Sequence, residues 1–263
     1  MTSRTRQPRA VVLSIAGYDP SSGAGITADI KTIAAHACYG ITCMTAITVQ
    51  STLGVKRVEP VEGSLITEIL NELAGDLDIA AIKVGMLGSA EAARAVAAFL
   101  KRSQARNVVL DPILKSSSGA ALLSQEGLQV LKDRLLSVAS VITPNLEEAA
   151  ALTGSRVSNI EEMEEAARQL QRAGAHSVII TGGQLDPPVD LVRGDGNGRG
   201  GTLTGTRIHS SSTHGTGCAF STALACNLAL GRNLMDAAKA AKQYVETALK
   251  NAPRLGRGIG PVV

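Results

Sequence analysis

Thr213-His-Gly-Thr-Gly-Cys218 leads into a run of small and apolar residues, Ala219 to Leu230, that reads as a helix. Glycines at a helix start leave several backbone N–H groups pointing at one spot, and the positive end of the helix dipole adds to their field. Gly215, Thr216, Gly217 and Cys218 therefore predict an anion hole. A cysteine in the first turn lies in that field, so the Cys218 thiol pKa is expected to fall, making it a base or nucleophile. The competing reading is a small buried packing residue, which suits Cys38, Cys43 and Cys226 better. His214 reads as a loop residue hydrogen-bonded to backbone. A Cys/His hydrolase pair is disfavoured, because adjacent loop residues rarely face each other and no orienting third group is evident.

Two further places offer hard oxygen ligands. Asp111-Pro112 follows the apolar run 108–110, and Thr143-Pro-Asn-Leu-Glu-Glu148 follows the run 138–142. Asp111, Asn145 and Glu148 make a set able to hold hydrated Mg²⁺ beside phosphates. Helix capping by Asn145, with the two glutamates settling the dipole, explains the last two equally well. After the first apolar run comes Gly17-Tyr-Asp-Pro-Ser-Ser-Gly-Ala-Gly25, whose glycines allow close backbone approach to a ligand and whose Asp19 offers a carboxylate. A strand-to-helix turn with a solvated Asp19 is the plain alternative. The spacing of GxGxxG fails here, and no P-loop is present.

Short β-branched runs recur between helical patterns, and Asp19, Asp111 and Asn145 follow three of them: Val11 to Ile15, Thr45 to Val49, Ile79 to Val84, Val108 to Leu110, Val138 to Ile142 and Val178 to Thr181. Apolar runs without strict alternation suit parallel strands buried on both faces. Helical stripes lie between them: Leu65, Ile66, Ile69, Leu70 and Leu73, and Ile160, Met163, Ala167, Leu170 and Ala173 in a helix begun by Ser158 with Glu161 three residues on. Val189 to Val192 and Thr202 to Ile208, around the turn-rich 195–201, read as antiparallel edge strands, and the chain then turns helical to Lys250. The pattern predicts an α/β fold, a mostly parallel sheet with helices on both faces and ligands beyond the carboxyl ends of its strands.

In 263 residues, 44% hydrophobic and 19% charged, with 27 Gly, 9 Pro and four Cys, the composition excludes disorder, collagen-like repeats and a disulfide scaffold. Aromatics at 2% and a net charge of +3 argue against a nucleic-acid surface. No apolar run approaches the roughly 18 to 20 residues of a membrane span. Cysteines without CxxC spacing point away from zinc and to a reducing, cytoplasmic compartment. Residues 1–10, with Arg4, Arg6 and Arg9, read as a flexible basic tail, and 11–263 as one domain.

The motifs together resemble the ribokinase-like superfamily, and within it the bacterial hydroxymethylpyrimidine/phosphomethylpyrimidine kinases of thiamine biosynthesis. The resemblance rests on 16–26 (AGYDPSSGAGI), 28–32 (ADIKT), Thr45-Ala46 with Gln50, 83–87 (KVGML), 109–112 (VLDP), 143–149 (TPNLEEA), 214–218 (HGTGC) and 258–261 (GIGP). It implies a homodimeric kinase that passes the γ-phosphoryl of ATP, with Mg²⁺, to 4-amino-5-hydroxymethyl-2-methylpyrimidine and its monophosphate. By position it places the anion hole on Gly215 to Cys218, with Cys218 as base. The pyrimidine positions fall on Gly17, Asp19, Thr48, Gln50 and Met86, and the magnesium and phosphate network on Asp111, Asn145 and Glu148. The chain departs from the pattern at Thr181 and Gln184 of 181–184 (TGGQ) and at Ser117 and Ala120, all expected on the nucleotide or lid side. The alternatives are a pyridoxal kinase of the same branch and a catalytically weak pyrimidine-binding relative.

Overall fold

The computed structural model describes residues 9–196 and 200–263; most of the basic tail, with Arg4 and Arg6, lies outside them, as does part of the 195–201 turn. The chain runs β1 (Val11–Tyr18), α1 (Gly25–Ala35), β2 (Tyr39–Ser51), β3 (Gly54–Pro60), α2 (Gly63–Asp76), β4 (Ile79–Val84), α3 (Ala90–Ser103), β5 (Val108–Leu110) and α4 (Gln125–Val130). It continues through β6 (Val141–Ile142), α5 (Leu146–Thr153), α6 (Ile160–Arg172), β7 (Ser177–Ile180), β8 (Val189–Arg193), β9 (Gly201–Thr204), α7 (Thr216–Ala229) and α8 (Leu234–Asn251). Among the described residues nine strands form one sheet in the order β3-β2-β1-β4-β5-β6-β7-β8-β9. β2, β1, β4, β5, β6 and β7 pair parallel, while β3 at one side and β8 and β9 at the other pair antiparallel.

Side chains alternate across this sheet as a strand requires. Leu13 and Ile15 of β1, Ile82 and Val84 of β4, and Val108 and Leu110 of β5 pack with α2 to α6. Val12, Ala81 and Val109 point the other way, against α7 and α8. Ser14 and Lys83 share that second face, and both reach Asp29 of α1.

Several expected boundaries move. β3 is unexpected, because Lys56, Arg57 and Glu59 are exposed and give no apolar pattern; charge of this kind suits an edge strand. β8 lies between β7 and β9, so of the two strands expected at an edge β9 alone is one. α6 is capped by Asn159 rather than Ser158: the Asn159 side chain accepts the Glu162 N–H at 2.8 Å, and Glu162 accepts from Ser158. On α2 the stripe buries Ile66 and Leu70 but leaves Leu65 exposed.

Candidate active site

Parallel pairing brings the carboxyl ends of β1, β4, β5, β6 and β7 to one edge of the sheet. The chain leaves β1 toward β2 on one side while β4 lies on the other, which opens a crevice at β1. A cleft of about 460 Å³ occupies it. Gly17, Asp19, Thr48, Gln50, Met86, Asp111, Asn145, Glu148 and Gly215 to Cys218 all line it, so the candidate catalytic, pyrimidine and metal positions meet in one place.

One end of the cleft is apolar. Met86, Ala46 and Leu122 form a small cluster with Val55, Val58 and Ile113 against it. Gly17 keeps this wall flat, since a Cβ there would stand 2.8 Å from Met86 Sδ. Beside the wall, Asp19 is 3% exposed, which overturns the solvated reading. Its Oδ1 accepts from the Ser21 N–H and hydroxyl, and its Oδ2 from the Ala24 N–H and, at 2.8 Å, from His214 Nε2. Burial raises its pKa, but the bonds from His214 and Ser21 win and hold it below its ordinary value. Gln50 donates its amide to Asp19 at 3.3 Å and accepts from Thr48 at 3.2 Å. Gln50 Nε2 also stands 3.0 Å from His214 Nε2, so its oxygen keeps one lone pair open to a ligand, while a ring nitrogen would take its second N–H in competition with His214.

The other end carries charge and dipole. α7 begins at Gly215, whose φ of +85° is left-handed, and a Cβ there would strike the Gly23 carbonyl oxygen at 1.8 Å. Only glycine fits both constraints. No side chain caps the helix, so the Gly217 and Cys218 N–H groups are left for a ligand in the cleft. Asp111 and Glu148 are both buried facing the same space. Burial raises the Asp111 pKa, against the opposing pull of Lys83 and the Ser221 hydroxyl at 2.9 Å. Burial and then the charge of Asp111 push Glu148 up to about 8. Two buried carboxylates that resist ionising together could share a hard cation, which also takes oxygens from water and phosphate. The capping reading holds too: Asn145 accepts the Glu148 N–H and Glu148 accepts the Asn145 N–H, each at 2.9 Å.

Two expectations fail. The Cys218 thiol is not lowered; burial pushes it up to about 12, the Lys83 charge opposing and Asp111 and Asp29 adding to the rise. Desolvation outweighs the Lys83 charge. The His214 side chain bonds Asp19 rather than backbone, because Gly23 lets the first loop lie against its ring, and Ser117 Oγ stands 3.2 Å from its Nδ1. Cys38, Cys43 and Cys226 are buried packing residues as expected.

Lys83 and Asp29 carry no role in the sequence reading. Both side chains are fully buried and pair at 2.9 Å beneath the cleft, with Ser14 and Thr222 donating to the same carboxylate. A lysine inside the apolar run of β4 is the available signal, since a buried charge demands a partner. Thr181 and Gln184, both departures from the resemblance, also line the cleft.

The geometry agrees with what the chain resembles among known proteins. The family described as phosphomethylpyrimidine kinase matches residues 19–263. A hydroxymethylpyrimidine/phosphomethylpyrimidine kinase of Haemophilus influenzae is 41% identical over 95% of this chain and 94% of its own. A thiamine biosynthesis bifunctional protein of Geobacter sulfurreducens is 42% identical over 97% of this chain, which spans only 52% of that longer protein. The solved pyridoxal kinase of Staphylococcus aureus in complex with AMP-PCP and pyridoxal superposes with a TM-score of 0.87, at 33% identity, covering 97% of this chain and 93% of its own. The fold is ribokinase-like, and the chain belongs to the phosphomethylpyrimidine kinase family of phosphotransferases.

Proposed function

We propose that this protein transfers the γ-phosphoryl of ATP to the hydroxymethyl group of 4-amino-5-hydroxymethyl-2-methylpyrimidine, and then to its monophosphate, for thiamine biosynthesis. The observation that carries the reading is one cleft whose apolar, amide-bearing end faces an uncapped helix start and a buried pair of carboxylates. The ring lies against Met86 and Gly17, with the Gln50 amide meeting its amino group and adjacent nitrogen. The Gly215 to Cys218 N–H groups hold the negative oxygens that gather charge during transfer, and Cys218 takes the hydroxyl proton once its thiol has ionised. Asp111 and Glu148, with Asn145 beside them, would hold a Mg²⁺ ion, which would supply positive charge to the nucleotide phosphates. Phosphoryl transfer asks chiefly for such positioning and charge stabilisation. The reading also carries a cytoplasmic homodimer; among the described residues no helix is long and apolar enough to cross a membrane.

The Staphylococcus aureus kinase bound to pyridoxal favours a second reading, a pyridoxal kinase. Comparing kcat/KM for the pyrimidine and for pyridoxal, with ATP and Mg²⁺, decides between them. A pyrimidine value well above that for pyridoxal supports the proposal, and the reverse order replaces it.

Gln50→Leu should separate the two rings. Losing a paired hydrogen bond in a closed site costs about 1 to 3 kcal/mol, so pyrimidine affinity falls roughly 5- to 150-fold. Pyridoxal, with a phenolic oxygen in that region, loses less. Equal losses for both substrates would leave Gln50 as a structural tie between Asp19 and Thr48.

Glu148→Gln separates metal from cap. Glutamine serves at the third position of a capping box, so the helix keeps its start. The magnesium concentration for half-maximal turnover should rise and turnover should drop, with the melting temperature little changed. An unmoved magnesium requirement assigns Glu148 to the helix alone.

A further inference from the structure

The 258–261 stretch (GIGP) has no part in the chemistry above, yet with the two residues after it, it is tied, directly or through Lys31, to three segments that carry cleft-lining residues: the end of β2, the loop before α7 and the loop after β1. The Ile259 N–H donates to the Thr52 carbonyl at 2.9 Å, just past Gln50 at the end of β2. The His214 N–H donates to the Gly260 carbonyl at 3.0 Å and the Val262 N–H to the His214 carbonyl at 3.0 Å, which splints the loop opening α7. The Gly260 N–H reaches the Ser211 carbonyl in the same loop at 3.1 Å. Lys31 donates to the Val263 carbonyl at 3.0 Å and to the Ser22 carbonyl at 2.9 Å, tying in the first loop. Gly260, Pro261 and Val262 are buried. At Gly258 a Cβ would lie 1.9 Å from the Thr52 carbonyl oxygen, a backbone atom that no rotamer change can move aside.

We propose that Gly258–Val263 is a positioning segment, which sets the spacing between the pyrimidine end of the cleft and the anion hole of α7. This rests on the phosphoryl-transfer reading above. A six-residue strap bonded to Thr52, His214 and, through Lys31, Ser22 fixes the distance over which the hydroxymethyl oxygen must meet the γ-phosphorus. It touches neither substrate, so its loss acts on alignment more than on binding. A misplacement of about 1 Å in a transfer geometry costs on the order of 10²-fold in rate.

The test compares the wild-type protein with Gly258→Ala and with a shortened chain that ends at Arg257. Melting temperature, nucleotide affinity, acceptor phosphorylation and ATP hydrolysis are measured on each. The expected result is acceptor phosphorylation down by about 10²-fold, with KM values near those of the wild type, and far more ATP hydrolysed per acceptor phosphorylated. That ratio does not depend on the fraction of protein folded. If transfer and hydrolysis fall together, or neither falls, the segment serves stability and the proposal is overturned. Should the shortened chain fail to fold, Gly258→Ala decides by the same ratio. Wild-type protein that phosphorylates pyridoxal instead revises the substrate assignment, and the same comparison is then made with pyridoxal.

Discussion

Replacing Cys218 with alanine is expected to lower turnover by about 10² or more while leaving both substrate affinities nearly unchanged, the scale on which a lost general base registers. The thiol sits in the first turn of α7, beside the N–H groups proposed to receive the phosphoryl oxygens. Burial pushes it up to about 12, so at neutral pH the resting sulfur carries its proton. Only the thiolate accepts a proton, and its fraction grows about tenfold per pH unit below the pKa. Wild-type kcat should therefore climb as pH rises from neutral into the alkaline range, and the alanine protein should lose that limb. Alanine turnover close to wild type, with the same pH profile, would reduce Cys218 to packing and leave catalysis to the anion hole and the carboxylates.

Lys83→Met should destabilise the fold by about 3–5 kcal/mol, the cost of leaving a buried charge without its partner. Asp29 keeps the hydroxyls of Ser14 and Thr222, but these do not neutralise it. The pair joins β4 to α1, and Thr222 extends it to α7, so the loss appears as a lower denaturant midpoint with an unchanged slope. Adding Asp29→Asn should recover much of the loss, because it removes the orphaned charge. A single variant as stable as the wild type, or a double variant that loses the sum of both changes, would refute this account of the pair.

Much of the architecture is legible in the sequence because the parallel strands are apolar on both faces. β4 and β5 fall where their β-branched runs lie, and the residues just after them supply the site. β3 is illegible since its charges face water, where nothing enforces a pattern. The residues that line the cleft are legible by type and position in the chain, and their electrostatics are not. The dipole at Cys218 can be read from glycines before a helix, while its burial beside Asp111 and Asp29 arises only from the folded sheet. The partner of His214 escapes for a similar reason, as Asp19 is distant in sequence. Lys83 is open to discovery: in Ile79-Ala-Ala-Ile-Lys-Val84 a charge interrupts a doubly buried strand.

The most direct measurement follows the γ-phosphoryl itself. Incubated with γ-labelled ATP, Mg²⁺ and 4-amino-5-hydroxymethyl-2-methylpyrimidine, the protein should place label first on the hydroxymethyl oxygen, giving the monophosphate, and then on that phosphate, giving the diphosphate. Label found only in inorganic phosphate, or transferred to pyridoxal and not to the pyrimidine, would contradict the account.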